Sequence, residues 1–292
     1  MKNFIYSTLF ICLLFPSFLL AQDDLLDELE SEVEVDDAVS ATFKGLKIVN
    51  FESTKLVGKR NLYFVVAHRF GTVKNGIDDF FGLDQAVTQL KFIYGITDGF
   101  DIGIARSSFQ KTYGGHLKYR IVNQRKNGFP FTIAGYHLVS INTALEKDVL
   151  PKLEFNNRLS YVSQLLIASK INKRLSVELI PSYLHENYVR FDDQDNSQFI
   201  VGMGGRYKLT NRFSLNVDYG IHMNRSETSV YKNPLSIGVD IETGGHIFQL
   251  HFSNAQAMFE NGFLGQAFGD WSDGDFYFGF NLSRIFDFKK KS

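Results

Sequence analysis

Alternation with a period of two residues runs through this chain from about residue 41 almost to its end, and few folds can use it. Phe213, Leu215, Val217, Tyr219 and Ile221 alternate with Ser214, Asn216, Asp218, Gly220 and His222. Leu235, Ile237, Val239 and Ile241 alternate with Ser236, Gly238, Asp240 and Glu242, and the last such run sets Phe276, Phe278, Phe280 and Leu282 against Gly279, Asn281 and Ser283. Successive side chains of a strand point to opposite faces, so each run is a ribbon with one greasy and one polar face. Turn chemistry separates the runs at Thr97-Asp98-Gly99, Lys126-Asn127-Gly128, Thr210-Asn211-Arg212 and Thr243-Gly244-Gly245. The segments fall at 41–51, 60–70, 84–96, 99–108, 112–122, 129–143, 157–170, 174–186, 198–209, 212–222, 234–243, 246–254 and 275–287. Many are long enough to cross a bilayer at a tilt. Single-chain bacterial barrels close with an even number of strands. The expectation is therefore twelve, with one N-terminal segment packing elsewhere or merging, and fourteen is the next choice.

A soluble barrel buries its apolar face inside and needs only about eight strands. Here the strands are more numerous and their polar faces carry full charges, while aromatic residues reach 15 % (29 Phe, 13 Tyr, one Trp). Polar inside and greasy outside is the membrane arrangement. The fold class expected is all-β, a transmembrane antiparallel up-and-down β-barrel. Connections near 97, 172, 210 and 244 are tight, and those at 71–83, 144–156, 187–197, 223–233 and 255–274 are long. The last long one carries Met258, Phe259, Phe263, Leu264, Phe268 and Trp271, which suits packing against the rim or into the mouth of the barrel.

The N-terminus reads as an export signal. Lys2 precedes an apolar run from Phe4 to Leu20, with a small-residue cleavage point at Ala21-Gln22. A retained anchor is the alternative, but the run is short, Pro16 interrupts it, and acidic residues follow instead of a basic stop-transfer cluster. Cys12, the sole cysteine, sits mid-run, so disulfides and thiol chemistry are excluded from the mature chain. The domain reading is a signal peptide at 1–21, an acidic and disordered leader at 22–40, an outer-membrane barrel at 41–288 and a basic tail at 289–292. A near-neutral charge, 31 basic against 32 acidic residues, gives no footing for nucleic acid. The partners implied are outer-membrane lipid, a small polar solute, and a periplasmic protein docking on the acidic leader.

Strand parity places Arg69, Lys91, His116, Lys118 and Arg120 on one wall of the lumen. Arg206, Lys208, Asp218, Asp240 and Glu242 come from later strands, with Arg174 and Glu178 between. Two readings follow. A basic wall facing a more acidic one makes a field that orients and selects polar solutes in a pore. The same charges, paired with one another, fill a closed interior and make a plugged structural or partner-binding module. Arg69 and Arg106, in motifs that end strands, suit either binding of an anion or anchoring of rim loops through carbonyls. His251 and Ser253 share a face, the arrangement of a base and a nucleophile, which keeps a phospholipase as a remote alternative. They point inward, however, away from lipid. The histidines show no HxH or HExxH spacing, so neither a metal nor a cofactor is expected. Gly202-Met203-Gly204-Gly205 lies mid-strand with no helix after it, which fits bending or close approach and not a phosphate loop.

Several motifs follow in close order: His68-Arg69-Phe70-Gly71, Phe80-Phe81-Gly82-Leu83-Asp84-Gln85-Ala86, Tyr94-Gly95-Ile96-Thr97-Asp98 and Arg106-Ser107-Ser108-Phe109-Gln110-Lys111-Thr112-Tyr113. With Gly279-Phe280-Asn281-Leu282-Ser283-Arg284-Ile285-Phe286 near the end, the chain resembles the Bacteroidota β-barrel family catalogued as domain of unknown function 5777, over residues 43 to 288. Gly114-Gly115 departs from that pattern, where an acidic residue is expected first. The resemblance implies a fold and a compartment, and brings no substrate or catalytic residue.

Overall fold

The computed structural model describes residue 39, residues 42–243 and residues 246–288. The signal segment 1–21, all of the leader 22–40 except Val39, and the tail 289–292 lie outside the described residues. Among the described residues twelve strands follow one another in sequence: β1 (Asn61–Thr72), β2 (Ala86–Thr97), β3 (Phe100–Ser107), β4 (Tyr113–Val122), β5 (Thr132–Ile141) and β6 (Leu159–Lys170). The second half comprises β7 (Leu175–Glu186), β8 (Ser197–Lys208), β9 (Phe213–His222), β10 (Leu235–Thr243), β11 (His246–Ser253) and β12 (Tyr277–Asp287). Each pairs antiparallel with its sequence neighbours, and β1 closes on β12 from Asn61↔Asp287 to Thr72↔Tyr277. Closure leaves no sheet edge unpaired, the condition for strands to cross lipid.

The alternation sorts as expected. On β9, Phe213, Leu215 and Val217 are exposed outward while Ser214, Asn216 and Asp218 are buried inside. On β7, Val177, Leu179 and Tyr183 face out against Ser176, Glu178 and Ser182. Outward aromatics pair across strands, as in Phe64 on Phe92 with ring centroids 4.8 Å apart. Tight turns join β2 to β3, β6 to β7 and β8 to β9 at the end where β1 begins, here called the turn end. Residues 73–85, 142–158, 187–196, 223–234 and 254–276 form the opposite, loop end.

The segment expected at 41–51 is not a strand of the wall. Residues 42–57 enter the barrel from the turn end, reverse at Ile48–Phe51 (Ile48 N–H to Phe51 C=O, 2.8 Å) and return to Gly58. A single bridge, Lys47↔Glu52, and the bond from Ser53 N–H to Leu46 C=O (2.9 Å) hold the two legs together. Arg60, left-handed at φ 62°, hands the chain to β1 with its N–H on Gly95 C=O. From the loop end, residues 254–276 dip inward and carry a short helix, α1 (Glu260–Gly265), all of it buried. The two inserts meet where Phe51 packs edge-on against Phe263, centroids 5.0 Å apart.

The expectation of a uniformly polar inner face needs one correction. Strands β5 to β8 turn Leu138, Val162, Leu166, Ile180, Leu184 and Ile200 inward, where they join Phe43, Ile48, Phe51 and Phe263 in one buried cluster. The reason is the inserts: their apolar faces need a core, and this half of the wall supplies it. The barrel is a polar cup on one side and a hydrophobic core on the other.

Candidate functional site

The site is the seat of the N-terminal hairpin. At its tip, one carboxylate oxygen of Asp218 accepts three successive backbone N–H groups, from Val49 (2.9 Å), Asn50 (2.7 Å) and Phe51 (3.1 Å). Consecutive amides converging on an anion form a nest, here closed by a side chain of the wall. The Asn50 amide donates to Ser236 and Ser253 (2.9 Å each), and its oxygen accepts from Arg69 at 2.8 Å. Gln249 donates to Ile48 C=O at 2.7 Å. Room for the tip comes from glycine. A Cβ on Gly202 would stand 2.4 Å from the Phe51 ring, and one on Gly204 would stand 2.2 Å from Ile48 Cδ1. The glycine run in the sequence is therefore a close approach, and what approaches is the hairpin.

Lower in the bore, Glu52 is the charged hub. Its carboxylate meets Lys118 at 2.7 Å, Lys91 at 2.9 Å and Lys47 at 3.5 Å, with Glu52, Lys91 and Lys118 all buried. Burial works to raise the Glu52 carboxyl, but Lys118, Lys91 and Lys47 outweigh it and hold it well below its ordinary 4.5. Lys118 also donates to the carbonyls of Ser53 (2.9 Å) and Lys55 (3.1 Å), and Arg120 to that of Thr54 (2.7 Å). On the return leg, Val57 N–H donates to Asp101 at 2.8 Å. At the loop end, Arg69 donates to the carbonyls of Ala255 and Ala257, and Lys47 pairs with Glu260 of α1.

Of the residues singled out from the sequence, Arg69, Lys91, His116, Lys118, Glu178, Arg206, Asp218 and Asp240 are buried inside. Arg120, Lys208 and Glu242 are half-buried, Glu242 within 2.7 Å of Arg206 and 3.7 Å of Lys44. Arg174 is not brought to the lumen; it stands exposed in the turn before β7, one residue short of where the strand's parity takes hold. For Arg69, the geometry matches the loop-anchoring alternative. Arg106 stands away from the bore, with its guanidinium 4.7 Å over the Tyr113 ring on the outer face. His251 accepts from Arg69 (2.9 Å) and Ser253 bonds Asn50 and Ser236, so both belong to the seat of the tip. Lys47, Glu52, Asp101 and Glu260 were not foreseen. Parity on β3 puts Asp101 inward, whereas no strand periodicity marks the other three: Lys47 and Glu52 lie in the hairpin and Glu260 opens the short helix α1.

Beside the hairpin is a cavity of about 60 Å³ bordered by Asn50, Glu52, Arg69, Lys91 and Gln249. That admits a few waters, far below the roughly 300 Å³ at which solute pockets begin. Among the described residues, the hairpin and α1 occupy the middle of the bore.

Against known proteins, the model of a family described as a membrane bound beta barrel domain (DUF5777) matches residues 43–286. The chain belongs to that family. It is a membrane-bound β-barrel. Among solved structures, the NanC porin overlaps with a TM-score of 0.48 at 12 % identity, covering 78 % of this chain and 99 % of that one. The KdgM porin gives 0.46 at 8 %, and the outer membrane protein Omp33 of Acinetobacter baumannii 0.41 at 9 %, with the same coverages. Overlaps this loose leave the function to be argued from the chain's own residues. No curated protein matches it.

Proposed function

We propose that this protein is an exported outer-membrane transport barrel for a small polar solute, held shut at rest by its own N-terminal hairpin. One observation carries the reading: residues 42–57 fill the bore without contributing a strand to the wall, and the wall holds a fitted seat for them. An element outside the ladder can leave while every ladder bond stays. With it gone, Arg69, Lys91 and Lys118 stand on one wall and Glu178, Asp218 and Asp240 on another, a field suited to polar solutes. Fluctuation alone does not empty the bore, because each buried apolar side chain of the hairpin, such as Ile48 or Phe51, is worth about 1.5–3 kcal/mol. Opening then needs work done on the chain ahead of the hairpin. Val39 sits at the turn end, its N–H on Gln124 C=O (2.9 Å), and short turns mark the periplasmic side of such barrels. This reading puts the acidic leader in the periplasm, after removal of a signal ending near Ala21, where a partner can engage it.

The test is conductance in planar bilayers. Full-length protein is expected to be silent, and a chain exported on the same signal but lacking residues 22–57 to show discrete steps. Gel mobility before and after boiling establishes that the truncated barrel is closed. A folded yet silent truncated barrel overturns the transport reading in favour of a second one, a permanently plugged scaffold or partner-binding module, which the apolar cluster of β5 to β8 favours. Pull-down from membranes with and without residues 22–40 reads the leader's role: an unchanged set of partners removes it as a docking element.

A further inference from the structure

Beyond the hairpin, on the loop-end side of α1, lies a separate cavity of about 550 Å³. Its lining is rich in amides: Gln110, Asn142, Asn157, Gln256, Asn261 and Gln266. Three of them form a directed relay. Asn142 Nδ2 donates to Gln110 Oε1 (3.1 Å), Gln110 Nε2 to Gln266 Oε1 (2.7 Å), and Gln266 Nε2 to the buried carboxylate of Glu186 (3.0 Å). Glu186 is held from the other side by the amides of Gln194 (3.0 Å) and Gln198 (3.1 Å). The relay is placed at a cost: Gln110 and its neighbour Lys111 are left-handed, at φ 50° and 46°, a strained conformation for residues with a Cβ. Aromatic rings make the wall. Tyr231 is fixed between Phe268 and Phe191, at 4.7 and 5.6 Å between centroids, while Phe268 and Tyr188 keep accessible surface.

We propose that this vestibule is a binding site for a short neutral oligosaccharide taken from outside the cell. Side-chain amides carry both donor and acceptor on one plane, matching paired hydroxyls that must do both. Ring faces suit the C–H faces of a pyranose, and the volume falls in the range of small-ligand sites. The charged groups of the lining are balanced, Glu146 and Glu186 against Arg158 and Arg190, so the cavity as a whole offers no net charge to select an ionised sugar. A peptide fits less well, because the closed barrel offers no strand edge for it to extend. The site goes beyond the transport reading: binding here needs no movement of the hairpin.

Calorimetric titration of full-length protein in nanodiscs with maltotriose, cellotriose and mannotriose tests it. Saturable heat is expected from at least one of the three. Tyr188→Ala and Gln110→Gly should each weaken that binding at least tenfold. The second substitution relieves backbone strain while removing the amide, so loss of binding cannot be laid to loss of fold. Leu215→Ala, on the lipid face, should leave it unchanged. No saturable heat from protein that still shifts on boiling overturns the proposal. So does binding that both vestibule variants leave intact, and so does tighter binding of an acidic trisaccharide than of any neutral one. Binding with a silent truncated barrel leaves the vestibule standing without transport, and conduction without binding does the reverse.

Discussion

Replacing Glu52 by Gln asks whether the hairpin is held by charge. The change keeps the side chain's size but removes the carboxylate that ion-pairs with Lys91 and Lys118, both buried, at 2.9 and 2.7 Å. Breaking a buried pair by deleting one partner costs about 3–5 kcal/mol, since the remaining charge is left desolvated. At about 1.4 kcal/mol per tenfold, the undocked fraction of the hairpin should rise between roughly a hundredfold and a few thousandfold. Thr54, 1 % exposed, is the reporter: in a Cys12→Ser background, Thr54→Cys gives one thiol whose reaction with a small thiosulfonate tracks undocking. Acid should reproduce the effect in the parent. Glu52 titrates below 4.5 when docked, so its contribution is complete above 4.5 and is lost as pH falls through the lowered value, and the Gln variant should lack this step. A rise of less than tenfold, or an acid step that survives the substitution, refutes the electrostatic account. Adding Lys118→Met should then recover part of the loss, a non-additivity expected of groups in contact.

Gly202→Leu should expel Phe51 from its place 2.4 Å away and raise Thr54→Cys labelling, whereas Gly115→Leu, with nothing within 4 Å of its Cβ, should not. Arg69→Met removes the donor to Ala255 and Ala257, and limited proteolysis should then cut within residues 254–276 faster than in the parent while the barrel stays heat-modifiable. Leu215→Arg, on the lipid face of β9, should lower refolding stability in bilayers by about 2–4 kcal/mol in urea titrations if Leu215 lies near the midplane.

The wall was legible because period two is a geometric necessity of strands, and twelve of the thirteen segments read from it became the twelve strands. The thirteenth, 41–51, carries the same alternation loosely but folds as the hairpin, which fits the expectation of one segment packing elsewhere. What alternation could not give is the other side of each inward contact. Gly202 and Gly204 signalled close approach, yet only the tertiary fold supplies Phe51 and Ile48 as the approaching groups. Asp218 was read as one charge of an acidic wall, and its partners are three backbone amides, which a sequence does not display. The apolar residues of the last long connection did forecast its fate: Met258, Phe259, Phe263 and Leu264 are buried in the mouth, while Phe268 stays exposed.

The hairpin also acts as the counter-charge of the bore, and this fixes what an opened barrel should select. Docked, it offers the Glu52 carboxylate to Lys91 and Lys118 and the amide nest of its tip to Asp218, so each wall meets its complement on the same insert. Undocked, those groups face water and one another, and the bore acquires a transverse field, mainly basic on β1 to β4, where Asp101 is the exception, and mainly acidic on β7 to β10, where Arg206 pairs with Glu242. Neutralising one side of such a field must bias permeation toward the sign the other side attracts. In the barrel lacking residues 22–57, Lys91→Met with Lys118→Met should move the reversal potential in a potassium chloride gradient toward cation preference. Asp218→Asn with Asp240→Asn should move it toward anion preference. Shifts of the same sign, or none in a conducting barrel, would mean that these side chains collapse onto each other once the hairpin leaves, and the solute path would have to be sought along the apolar wall of β5 to β8.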